Sequence, residues 1–395
     1  MKHTMSRHAF YSLTVTFAIL SILGQVSTSI YSPFFFDLAI VYGSPVSVIE
    51  QSVAVFLVAF SFSQLASGIA CDYVNKQTFL FFGILVFIAG TLMVALASDQ
   101  ATFLIGRIVQ GLGGGVGVSV SRGLSRQIFN EKQLNTSLSL INIAFAIAPA
   151  IAPLVGTLIG EYFGISAIFY FVLVLGLLAL ILLFSVSHKL AQYMLPATEN
   201  VLSDTLALIK STITKIVSTG MASGLLYGMV FCFITSAPSM IMQQFGLTKT
   251  LFSLYSLIAT LSFVVGSLLN IRLASLSPLQ KFKRSSLLIA LLSVLFGLTV
   301  FCGFANDLLI ILAYCYTMFF FIGIAMPCSV TIMLGFSKTS AGFLAALTGF
   351  FHLTGAAIGA YAVTLLTLEP TVAFSLSTCI LSLASIIICV TFKKH

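Results

Sequence analysis

The stretch GRIVQGLGGGVGVSVSRG, from Gly106 to Gly123, decides how the rest of the chain is read. Its seven glycines suggest a turn that cradles phosphate, yet a dinucleotide fingerprint needs Gly-x-Gly-x-x-Gly, and no register of GLGGGVGVSV supplies the third glycine. A phosphate loop fails too, because no Lys-Ser or Lys-Thr pair follows the glycines. Taken at every fourth residue, the segment gives Arg107, Gly111, Gly115, Ser119 and Gly123 on one face of a helix. Small residues headed by a single arginine suit helices whose backbones meet closely inside a membrane.

Working outward, the bulk composition agrees. Hydrophobic residues make up 59% of the 395 and charged residues 7%, and the mean hydropathy is +1.13, which marks an integral membrane protein. The net charge of +8 comes from short basic groups between apolar runs, so topology explains it better than a nucleic-acid partner. Seven cysteines, mostly inside apolar runs and without a C-x-x-C pair, read as small apolar residues, with no disulfide framework and no metal site. The amino-terminal apolar run is too long for a cleaved signal peptide and reads as a first span.

Twelve apolar segments are long enough to cross a bilayer, at about 12–35, 48–70, 78–97, 102–124, 136–159, 165–187, 217–240, 250–272, 285–304, 308–333, 342–366 and 371–391. With the amino terminus inside, 16 of the 18 Lys and Arg residues fall at inner ends and loops, as retention of positive charge in the cytoplasm requires. Arg107 and Lys249 are the exceptions. Six acids, Asp37, Glu50, Asp99, Glu161, Asp307 and Glu369, fall at outer ends. Residues 188–216 hold the one sizeable polar segment, read as a cytoplasmic linker with a short amphipathic helix capped by Ser203 or Asp204 and carrying Leu206, Ile209 and Ile213 on one face. They divide a six-helix half, 1–187, from a second, 217–395, an organisation many secondary transporters share.

Several segments carry a resemblance. GIACDYVNKQ, with Gly68, Asp72 and Lys76, resembles the loop motif G-x-x-x-D-x-x-G-R-[RK] of the major facilitator superfamily, with Asn75 and Lys76 in place of the second glycine and its arginine. GRIVQGLGGGVG resembles that family's arginine motif at the start of span 4. INIAFAIAPAIAPLVGTLIG resembles the proline-glycine motif of span 5 in its antiporters, and SRGLSRQIF, containing Arg126, resembles an element of the Bcr/CflA drug-resistance group. GQVSTSIYSPFFFDLA in span 1 and SKTSAGFLAALTGFFHLTGAAIGA fit the same group, span 1 lying closest to its EmrD multidrug branch. The resemblance covers nearly the whole chain and implies an all-α fold of twelve transmembrane helices with both termini in the cytoplasm. It further implies a drug:proton antiporter of a bacterial inner membrane, in which Asp72, Lys76 and Arg126 latch the inner gate and Arg107 serves proton coupling.

The residues have physical readings of their own. Pro149 and Pro153 stack on one face of span 5 beside Gly156 and Gly160, which predicts a bent, closely packed segment that acts as an antiporter hinge or is merely a tolerated kink. Arg107 within an apolar span must snorkel, pair or face a cavity. Many members of the group carry an acid midway along span 1 where this chain has Ser29. Asp37, eight residues on and near the same helix face, is therefore the first candidate proton carrier and Glu50 the second, against ordinary solvation at an outer end. His352, in span 11, titrates near neutrality, or is a neutral histidine bonded to a neighbouring helix. Phe56 and Phe60, with Gln25, Ser29, Tyr31 and Gln64, are the candidate substrate lining.

Together these features predict a proton-coupled carrier that exports small organic compounds, with no cofactor, acting as a monomer in a lipid bilayer on a small-molecule substrate and protons. Two other readings stay open: a dedicated exporter of one endogenous metabolite such as a siderophore or amino acid, and a non-transporting receptor or intramembrane enzyme.

Overall fold

The structure is a computed structural model that describes residues 5–70, 74–193, 201–273, 275–303, 307–337 and 341–391. In chain order come α1 (Arg7–Ser29), a 3-10 turn (Ser32–Phe34), α2 (Phe35–Val41), α3 (Val46–Ala70), α4 (Lys76–Ala95), α5 (Gln100–Ile128), α6 (Glu131–Phe163) and α7 (Ile165–Tyr193). Then follow α8 (Val201–Ala237), a π-helical turn (Pro238–Gln243), α9 (Lys249–Arg272), α10 (Pro278–Phe301), α11 (Leu308–Leu334), α12 (Ala341–Leu365) and α13 (Pro370–Thr391). No strand occurs among the described residues. Among the described residues, twelve stretches are long and apolar enough to cross a membrane, the first joining α1, the 3-10 turn and α2, and they coincide with the twelve expected spans.

Polar residues set many helix starts. Asn75, Asp99 and Thr248 cap α4, α5 and α9, and Asn130 with Gln133 and Ser277 with Gln280 form capping boxes at α6 and α10. The amphipathic helix expected inside the linker is not a separate element. It is the first part of α8, which runs unbroken for 37 residues, because no proline or glycine intervenes before Gly220 to stop it. The side chains of residues 201–211, Ser203, Asp204, Leu206 and Ile209 among them, lie outside the described ones, as does Asp72.

The chain divides into two compact units, Met1–Tyr31 with Val58–Asn200, and Ser32–Leu57 with Val201–His395. Missing side chains let helices approach in both. In the first unit a Cβ on Gly113 would strike the backbone of Phe87 in α4, one on Gly115 would lie 2.7 Å from the Gln64 nitrogen of α3, and one on Gly117 2.6 Å from the Leu20 carbonyl of α1. The glycines of α5 thus serve three neighbours rather than one stripe. In the second unit α8 and α12 cross with Gly224 against Gly355 and Gly228 against Gly359, backbone to backbone, while Gly220 faces the Phe351 ring. This close approach is the packing that holds helices together in lipid, where burial of apolar surface drives little.

Candidate functional site

In the first unit Arg107 is 1% exposed. Its Nη1 donates to Gln110 Oε1, one turn on, and Gln110 Nε2 donates at 3.0 Å to Thr91 Oγ1 of α4. The guanidinium also lies 4.8 Å from the centre of the Tyr31 ring, which packs edge-on against Phe103. Of the three options open to it, Arg107 neither snorkels nor meets open space; it is held inside the helix packing by an amide and an aromatic face.

The span 5 motif meets α1. A proline at 153 has no N–H for the carbonyl of residue 149, and Ser29 Oγ donates to that Pro149 carbonyl across a long 3.5 Å. Gly156 accommodates the Ile30 carbonyl directly, and α6 runs unbroken through both prolines; Gly160 is buried further along the same helix. The residue standing in place of the group's acid is therefore placed to answer a carbonyl that proline frees.

Six candidate lining residues, Gln25, Ser29, Tyr31, Phe56, Phe60 and Gln64, are all buried. Phe60 fills the space over Gly24, where a Cβ would come within 2.7 Å of its ring, and the Gln64 carbonyl accepts from Ser119 at 2.7 Å. Gln25 differs from the others: it is 0% exposed, and neither amide atom has a hydrogen-bond partner among the described residues. A buried amide with both atoms unanswered costs several kcal/mol, about 2 or more.

Asp37 does not share a continuous helix with Ser29. Pro33 has no N–H to offer the Ser29 carbonyl, so α1 stops at Ser29 and Asp37 lies in the first turn of α2. There it pairs with Lys249, the first residue of α9, whose Nζ lies 3.0 and 2.9 Å from the two carboxylate oxygens and 4.2 Å from the centre of the Phe34 ring. The second exception to the charge pattern thus has an acidic partner 212 residues away. Glu50, 9% exposed, accepts from Ser239 Oγ of the π-helical turn at 2.6 Å, and the next residue after that turn, Gln244, accepts from Thr371 at 2.6 Å. Sequence reading missed Lys249, Ser239, Gln244 and Thr371 as partners, because each contact is long-range.

His352 of α12 bridges helices. Its Nε2 lies 3.2 Å from Ser223 Oγ of α8 and 3.3 Å from Ser329 Oγ of α11, beside the Tyr227 ring at 5.7 Å. At the loop motif, Gly68 lies in the last turn of α3 and Lys76 begins α4, and Asn75 receives the N–H groups of Gln77 and Thr78 at 3.0 and 3.2 Å. The departure from the glycine of the motif is a helix cap. Arg126 sits half-buried in the last turn of α5. Asp99 is likewise a cap: the Thr102 backbone N–H at 2.9 Å and hydroxyl at 2.8 Å hold its carboxyl below the usual range.

Residues 17–362 match the family described as Major Facilitator Superfamily. The chain belongs to the major facilitator superfamily. Among relatives, it is 26% identical over 282 residues to the bicyclomycin resistance protein homolog of Haemophilus influenzae, covering 71% of this chain and 70% of that one. It is also 26% identical to multidrug resistance protein D of Escherichia coli over 143 residues, 36% of each. These relatives fit the drug-resistance group that the span motifs resemble. The solved structure of a D-xylose-proton symporter superposes with a TM-score of 0.73 over 96% of this chain and 97% of that one, at 14% identity, a likeness of superfamily fold. The chain is thus a membrane transporter and not an enzyme.

Proposed function

We propose that this transporter exports small organic compounds from the cytoplasm of a bacterium across its inner membrane in exchange for protons, working as a monomer by alternating access of the halves 1–187 and 217–395. The observation that carries the proton-coupled reading is Glu50: a carboxyl buried within a spanning helix, with a hydroxyl donor at 2.6 Å. Ionisable groups are expensive in the apolar interior and persist there where transport uses them. Glu50 takes precedence over Asp37 as proton carrier, because Asp37 already meets a lysine. Arg107 supplies a fixed positive charge, and Gln25 offers an amide with both atoms to spend on substrate.

The test is efflux from cells lacking their main pumps, loaded with ethidium, a neutral lipophile, an amphipathic anion and the cell's own metabolites, each with and without a protonophore. Protonophore-sensitive efflux of several unrelated compounds is the expected result. Efflux of a single metabolite would make this a dedicated exporter, and efflux indifferent to the protonophore would remove the coupling.

A further inference from the structure

Arg272 closes α9 and Arg284 stands in the second turn of α10, both exposed. Each is the foot of an apolar stripe. Along α9 the exposed Leu261, Val265 and Leu268 lead to Arg272 at helical spacing, and from Arg284 the exposed Leu287, Leu291 and Leu295 continue along α10. The two feet are tied together. Ser277 and Gln280 box the start of α10, Phe282 buries its first turns, and Lys281 Nζ donates at 3.1 Å to the Asn270 carbonyl, one of the unpaired carbonyls in the last turn of α9. Charge here is one-sided. Arg272, Lys281, Lys283 and Arg284 fall in a stretch, 205–306, without Asp or Glu, whereas the loops at 72–76 and 126–132 mix their cations with Asp72 and Glu131. Retention in the cytoplasm explains why the loop is basic. It requires neither the lack of acids nor an exposed arginine at the end of each stripe.

We propose that the α9–α10 connection binds an anionic phospholipid, with Arg272 and Arg284 taking the phosphate and the acyl chains lying along the two stripes. A guanidinium offers paired N–H donors that match phosphate oxygens, and cations clustered at the end of a spanning helix attract anionic headgroups. A zwitterionic lipid brings its own cation to the same four charges and is partly repelled. An acidic protein segment would answer the arginines and leave the stripes as they are; a lipid meets both. Lys281, whose ammonium is bonded to Asn270, is the positioning residue, holding the two helix ends side by side. The site owes nothing to proton exchange, so the efflux test bears on it neither way.

The chain contains no tryptophan, so a single introduced one reports only its own surroundings. Leu288→Trp places it one turn beyond Arg284 on exposed surface of α10, and Leu85→Trp on exposed surface of α4, each about ten residues into its helix. Full-length protein is reconstituted in phosphatidylcholine vesicles, with brominated phosphatidylglycerol or brominated phosphatidylcholine as the quencher. The tryptophan at 288 should prefer the anionic quencher at least about fivefold, the size of one cation's contribution at a membrane surface, and the one at 85 should show little preference. Arg272→Gln/Arg284→Gln should erase the preference at 288, and high salt should shrink it. Equal quenching by both lipids at 288 overturns the proposal, and that comparison needs no arginine variant to fold. The same preference at both positions overturns it too, because the net charge of +8 would then account for it. A preference that survives loss of both arginines, or that inorganic phosphate abolishes by displacing the lipid, overturns it equally.

Discussion

Arg107 in the first unit and His352 in the second occupy comparable places: each lies one residue from a contact made by glycine. Gly106 packs on Val94 of α4, with a Cβ there falling 2.8 Å from Cγ2, and the carbonyl of Phe351 lies against Gly224 of α8. Missing side chains bring the neighbouring helix close enough for short groups to reach across, Gln110 to Thr91 in one case and Ser223 to His352 in the other. The surroundings then diverge. The guanidinium leans on an amide and an aromatic ring, whereas the imidazole joins three helices through one ring nitrogen. Helix packing of one kind thus houses a fixed charge in one unit and a hydrogen-bonded bridge in the other.

The comparison breaks most severely where the crossing itself is filled. Gly224→Leu drives a side chain into the backbone of α12, and about 3 kcal/mol of overpacking should abolish the monodisperse peak on size exclusion. Arg107→Ala should leave that peak in place while lowering efflux at least about tenfold, equal to 1.4 kcal/mol of barrier; Arg107→Lys should not rescue it, because an ammonium lacks the planar fork. Asn75→Ala, which touches neither charge, should cost about 1 kcal/mol through the lost cap, read as a lower melting temperature in detergent with transport per folded molecule unchanged. Smallest is the part-exposed Asp37–Lys249 pair, worth about 0.5 kcal/mol. Asp37→Asn or Lys249→Ala should lower the melting temperature in detergent by a small amount, exchange of the two side chains should restore it, and high salt should mask the difference.

Much of the fold is legible in the sequence because hydrophobic length and Lys/Arg placement are local signals: the spans fall where the apolar runs do. Arg107 stands out for the same reason, a lone charge on a glycine face. Asp37 does not reveal its role, since its partner is 212 residues distant and since Pro33 breaks the continuous helix that eight-residue spacing from Ser29 assumes. The loop motif's change to Asn75 looks like erosion until its cap bonds are seen. The linker helix merges with α8 because amphipathic pattern reports a helix but not where it ends. Glycine spacing at 220, 224 and 228, matched by 355 and 359, is visible in the sequence, yet only the structure pairs the two sets.

The central claim, proton exchange through Glu50, is tested most directly in proteoliposomes holding a pH-sensitive dye and an imposed pH gradient, with the compound that the efflux panel identifies added to one side. Wild-type protein should dissipate the gradient when that compound is added, and Glu50→Gln, folded and still able to bind it, should not. Compound crossing the membrane at full rate with no accompanying proton movement in wild-type protein would contradict the account.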